Sequence, residues 1–137
     1  MSVIAASAPS RWSSIALWIV RALLALAFAA AGAAKLYGVP MLVEEFEHIG
    51  LGQWFRYLTG TLELLGAVLI LAPSLVAFGA LLLICVMIGA TLTHLFVIGG
   101  SPVPALVLMA LSVIVAYAKR GQIAAVLNAS EDALADE

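Results

Sequence analysis

The sequence predicts an all-α polytopic membrane protein, an antiparallel bundle of four transmembrane helices, and three observations carry that reading. Of 137 residues, 65% are hydrophobic and 10% charged, with a mean hydropathy of +1.18, where soluble domains carry about 25% charge. Six Lys and Arg with eight Asp and Glu cannot give a water-soluble core of this length its polar cover. The apolar residues fall in four stretches, 14–36, 55–72, 75–98 and 102–118, each near the ~20 residues that cross a ~30 Å hydrocarbon layer. The breaks between them are turn-forming: Gly38 and Pro40, then Ala72-Pro73-Ser74, then Gly99-Gly100-Ser101-Pro102.

In chain order, residues 1–13 form an N-terminal segment ahead of the first span. That span is too long for a signal-peptide core of about 7 to 15 residues and carries Arg21 inside it. The connection 38–53 reads as an amphipathic element, with Met41, Leu42, Val43, Phe46 and Ile49 largely on one side and Glu44, Glu45, Glu47 and His48 toward the other. It is placed to lie across the bundle mouth like a lid. The second and fourth spans are the shortest, and the two later turns are tight enough to make successive helices antiparallel neighbours. Residues 121–137 continue with Ile123, Val126 and Leu127 as a short cytoplasmic helix, then become acidic and fray.

Arg11 and Arg21 lie toward one side and Lys119 and Arg120 directly follow the fourth span, so both termini face the cytoplasm of a bacterial-type plasma (inner) membrane. Lys35 and Arg56 flank the outer loop and weaken the bias. Trp12, Trp18, Trp54, Tyr37, Tyr57 and Tyr117 sit at span ends, as interfacial belts do; Tyr37, Trp54 and Tyr57 are also positioned to stack on a planar ligand.

Several chemistries drop out. A net charge of -2 without a basic cluster excludes nucleic acid as a partner. Cys85 is the single cysteine, which leaves no dithiol, iron-sulfur set or intrachain disulfide, and it reads as a small hydrophobe. His48 and His94 are poorly spaced for haem, no metal-ligand set appears, and no Gly-rich phosphate loop follows a strand.

What remains is a handful of ionisable residues inside the spans, where a charge costs several kcal/mol and marks a candidate site. Arg21 and Lys35 are 14 residues apart on one face of the first helix, about 21 Å along its axis, and either can snorkel toward the nearer surface. Glu63 is the sharpest case. It lies about 12 Å inside the second helix, too deep to snorkel, between Gly60 and Gly66, whose narrow face admits a neighbouring helix or a ligand. Such a carboxyl is either a neutral hydrogen-bond donor or an ion paired with Lys35, Arg56 or protonated His94. His94 ends the third span, with Thr91 one turn earlier on its face. Lys35, Arg56, Glu63 and His94 thus converge on the outer half of one bundle, with Thr91 and Tyr57 beside them.

Three segments taken together resemble a known family. Arg21-Ala-Leu-Leu-Ala-Leu-Ala-Phe leads to Ala31-Gly32-Ala33-Ala34-Lys35-Leu36. Gly60-Thr61-Leu62-Glu63-Leu64-Leu65-Gly66-Ala67 follows on the next span, and Gly89-Ala90-Thr91-Leu92-Thr93-His94 on the third. Their order and spacing over roughly residues 20–120 resemble the DoxX-like family of small four-helix membrane proteins. The resemblance singles out Lys35, Glu63 and His94, with Arg21 a weaker fourth. It implies a membrane subunit of a redox system, because the family's namesake is similar to the small subunit of a thiosulfate:quinone oxidoreductase, while other relatives are linked to redox-stress complexes or receptor assembly.

Three functions stay open at this level. The first is a site for a lipophilic ligand such as a quinone, with Glu63 and His94 as a proton relay, Lys35, Arg56, Thr91 and Tyr57 as further ligand contacts, and electrons from a membrane or peripheral redox partner. The second is a non-catalytic assembly or chaperone module, or a homo-oligomer, gripping neighbours through small residues such as Gly79, Ala80, Gly89 and Ala90. The third is a self-contained membrane enzyme doing acid-base chemistry on a lipid-soluble substrate.

Overall fold

The computed structural model describes residues 8–136. Six α-helices follow one another: α1 (Arg11–Tyr37), α2 (Pro40–Ile49), α3 (Gln53–Leu71), α4 (Val76–Thr93), α5 (Val103–Ala118) and α6 (Arg120–Ala135). A π-helical turn, His94–Ile98, extends α4. There is no strand among the described residues.

Each boundary has a local cause. Ser10 caps α1 by accepting from the Ser13 N–H at 3.2 Å, so the first helix starts slightly before the apolar stretch does. At its other end Gly38 adopts φ 84°, ψ 48°, a left-handed conformation that side chains resist, and its N–H closes on the Ala34 carbonyl. Pro40 then opens α2 at the first-turn position where its missing N–H costs nothing. The residue run Ala72–Leu75 separates α3 from α4, and Gly99–Pro102 separates the π-helical turn from α5, as the turn chemistry predicts.

Three stretches are long and apolar enough to cross a membrane, Arg11–Tyr37, Gln53–Leu71 and Val76–Ile98, and a fourth exists if α5 and α6, bent by 55°, are counted as one. α5 alone is 16 residues, about 24 Å, which is shorter than the ~30 Å of hydrocarbon. The acidic tail is ordered further than its charge suggests. α6 runs to Ala135, where fraying was expected, because Ala124, Ala125, Leu127, Ala129, Ala133 and Leu134 are strong helix formers with no Gly or Pro among them. Gln122 ties its first turn down: the side-chain amide donates to the Pro73 carbonyl at 2.7 Å and its oxygen accepts from the Ala77 N–H, an unpaired donor at the start of α4, at 2.9 Å.

α1 packs on α3, α3 on α4, α4 on α5, and α5 back on α1 over a shorter stretch. Arg21 reaches Ile70 whereas Lys35 reaches Glu63, so α1 and α3 run in opposite directions; Gly66 against Leu83 and Gly79 against Ile70 show the same for α3 and α4. The core lies between the helices in the half away from α2: Leu24, Phe28, Ile70, Val76, Ala80, Leu83 and Val115 are almost wholly buried. The outward faces carry Leu23, Leu26, Val68, Ile88, Leu92, Val107 and Ile114, all exposed. An apolar exterior around an apolar interior is the surface that lipid, not water, solvates.

Candidate functional site

The site begins with a backbone contact. A Cβ placed on Gly32 would lie 2.7 Å from the Gly60 carbonyl oxygen, and one on Gly60 would lie 3.0 Å from that of Gly32. Only two glycines let α1 and α3 approach this closely. Three residues further along each helix, that approach brings Lys35 to Glu63. The ammonium donates to both carboxylate oxygens, at 2.9 and 3.1 Å, and the side chains are 16% and 4% exposed. Of the partners open to Glu63, the structure selects Lys35. The lysine does not snorkel outward; its stem turns back into the bundle, because an unpartnered carboxylate so deep in low dielectric would cost more than the lysine gains from water.

Arg56 is occupied elsewhere. It donates to the Gln53 side-chain oxygen at 2.6 Å and to the Lys35 backbone carbonyl, and its guanidinium lies 4.4 Å from the centre of the Tyr57 ring. That carbonyl belongs to the last turn of α1, which has no intrahelical partner. Arg21 does the reciprocal job: its guanidinium, 4% exposed, donates to the Ile70 carbonyl at 2.9 Å and to Leu71 at 3.3 Å at the end of α3, and stacks over Trp18 at 4.3 Å. Each helix of the antiparallel pair therefore contributes an arginine that caps the other's C-terminus, where a cation is favoured. Sequence reasoning let Arg21 snorkel toward the nearer surface and missed both caps, since the partners are main-chain carbonyls 21 to 50 residues away.

Next to the Lys35–Glu63 pair is a cavity of about 460 Å³ lined by residues of α1 to α5 and open at its side, where Leu58, Cys85 and Gly89 are exposed. Lys35, Glu45, Glu63, Thr59, Thr93 and His94 give it polar groups, and Phe28, Leu62, Met87 and Leu108 supply apolar walls. α2, the element read as a lid, contributes Leu42, Glu45, Phe46 and Ile49 to the lining. His94 starts the π-helical turn, and its Nδ1 is 3.1 Å from the Gly99 carbonyl. A carbonyl only accepts, so Nδ1 is the donor in this contact.

Among the residues singled out in the sequence, Lys35, Glu63 and His94 come together on this cavity, and Arg56, Tyr57 and Thr91 do not. Thr91 is turned onto its own helix, donating to the Met87 carbonyl at 2.7 Å. Tyr37, Trp54 and Tyr57, placed to stack on a ligand, are exposed outside it; the aromatic walls are Phe28, Phe46 and Phe55. Of the small residues expected to grip a partner, Gly79 packs on the α3 backbone and Ala80 is in the core, whereas Gly89 is exposed and lines the cavity mouth with Ala90. Cys85 also lines it. Among the described residues, no buried side-chain nitrogen or oxygen lacks a hydrogen-bond partner.

A sequence model of the DoxX-like family matches residues 19–118, most of the chain. The chain belongs to the DoxX-like family. The matched region runs from the first span through α5 and contains Lys35, Glu63 and His94. A comparison of this DoxX-like chain with curated proteins found no match, and a comparison with solved structures found none.

Proposed function

We propose that this DoxX-like protein is a four-span antiparallel bundle whose cavity holds a lipophilic molecule with a polar head, a quinone being the class that fits best, and that it serves as the membrane subunit of a redox system. The observation that carries this is the composition of one cavity: a Lys35–Glu63 pair with a buried carboxylate, together with His94 and Glu45, among apolar and aromatic walls. About 460 Å³ is within the ~300–1,000 Å³ of small-molecule sites. A quinone ring would lie between Phe28, Phe46 and Phe55, with one carbonyl oxygen toward the Lys35 ammonium. Reduction adds protons as well as electrons. Glu63 and His94 are the groups that take and return them, Lys35 offsets negative charge developing on oxygen, and the electrons come from a partner protein.

In this reading α5 is the fourth span, both termini lie on the cytoplasmic face of a bacterial-type plasma membrane with Arg11, Lys119 and Arg120, and α2 lies on the opposite face. The test is direct. Protein purified in mild detergent is extracted with organic solvent and the extract analysed for quinones, and thermal unfolding is followed with added quinone. Ligand at 100 times its Kd adds about 2.7 kcal/mol of stability, a clear upward shift in Tm that Glu63→Gln abolishes while keeping the bundle folded. An extract without quinone, together with a Tm indifferent to quinones of several tail lengths, would sink the proposal.

A further inference from the structure

The main cavity has a neighbour at α2. A second crevice of about 350 Å³ opens at the α2 end of the bundle, walled by Met41, Glu44, Glu45, His48, His94 and Ile98. Two residues belong to both walls, Glu45 and His94. Glu44, His48 and Met41 are exposed, so the crevice meets solvent, while the main cavity reaches the Lys35–Glu63 pair. Every ionisable group on the crevice wall is a carboxylate or an imidazole, which gives it a potential that draws cations, hydronium included.

We propose that Glu45 and His94 form a gate through which water and small cations pass from the α2 face to the buried Lys35–Glu63 pair. An apolar ligand is held among Phe28, Leu62 and Leu108, whereas protons and water enter past a carboxylate and an imidazole under the lid helix. This deepens the ligand-site reading and rests on it only for what the passage serves. It adds Glu45, which the site chemistry did not use, and gives His94 a second role at the passage. Glu45 and His94 are the side chains the two walls share, and π-helical turns such as the one that begins at His94 are found often at functional sites.

Thiol labelling in detergent micelles tests this without any ligand. In the full chain carrying Cys85→Ala and Thr59→Cys, the new thiol sits on the inner cavity wall, and charged methanethiosulfonates, which do not enter apolar phases, report a polar route to it. The expected result is labelling by the trimethylammonium reagent roughly tenfold faster than by the sulfonate reagent, a preference that Glu44→Gln with Glu45→Gln brings close to one. Glu45→Trp should slow cationic labelling at least tenfold, and Glu47→Trp, the same bulk on the exposed side of α2, should leave it unchanged. His94→Trp replaces Glu45→Trp if that chain does not elute as a folded, helical species. No labelling in the parent, equal rates for Glu45→Trp and parent, or equal slowing by Glu47→Trp would each overturn the gate. An open gate in a protein that retains no lipophile sinks the ligand reading alone, and a bound lipophile behind an unreactive thiol sinks the gate alone.

Discussion

Removing one member of the Lys35–Glu63 pair should cost unequal amounts depending on which member goes. Lys35→Met leaves the Glu63 carboxylate 4% exposed and stripped of the donor at 2.9 Å. Loss of one partner from a buried pair typically costs about 3 to 5 kcal/mol. A ceiling comes from water: taking a proton at pH 7 costs an ordinary carboxyl, with pKa about 4.3, roughly 4 kcal/mol, so the loss settles near 3. At pH 5 the same proton costs about 1 kcal/mol and the variant should recover most of its deficit. Glu63→Leu strands an ammonium instead, but Lys35 is 16% exposed and two residues from the end of α1, so its stem can swing to the surface. That loss should be about 1.5 kcal/mol. The double variant should cost about as much as Glu63→Leu alone, a coupling of about 3 kcal/mol, near the top of the usual range for contacting residues. Unfolding by sodium dodecyl sulfate in dodecyl maltoside micelles, followed by circular dichroism at both pH values, measures all four corners of the cycle. Strictly additive losses, or Glu63→Leu costing more than Lys35→Met, would refute the reasoning.

Two further predictions use the same assay. Arg21→Met frees the Ile70 and Leu71 carbonyls at the end of α3 and should cost about 2 kcal/mol, as hydrogen bonds to charged groups do; Arg21→Lys should recover less than half, since a single ammonium cannot span two carbonyls as a guanidinium fork does. Gly79→Ala should destabilise by about 1 to 3 kcal/mol through overpacking, its Cβ falling 2.7 Å from the Ile70 backbone nitrogen, whereas Gly89→Ala, with nothing within 4 Å, should be neutral or slightly stabilising.

What was legible in the sequence depended on how local its cause was. Span positions followed from hydropathy and turn residues, and the lid helix from its alternation of apolar and acidic positions. Arg56 shows the limit. Seven residues before Glu63, it shares that residue's face, and helical periodicity alone assigns the two to one site. The long side chain instead rises to the end of α1, because an uncapped carbonyl there is the nearer and stronger demand. Thr91, one turn before His94, is buried and absent from the cavity wall, whereas Thr93 lines it. The apolar cavity residues Phe28, Met87 and Leu108 carry no mark that distinguishes them from the other hydrophobic residues in the same spans.

The sequence by itself determined that this chain is helical and membrane-embedded, that it belongs with the DoxX-like proteins, and that Glu63 must find a partner, because hydropathy, turn chemistry and the cost of a buried charge act on single residues and short windows. Which cation answers Glu63, where the arginines go, and that His94 and Glu45 each line two cavities were decided only by the tertiary structure. Those depend on how far each helix is rotated about its axis and how closely α1 approaches α3. The Gly32–Gly60 contact sets that approach, and it exists only once the two helices have met.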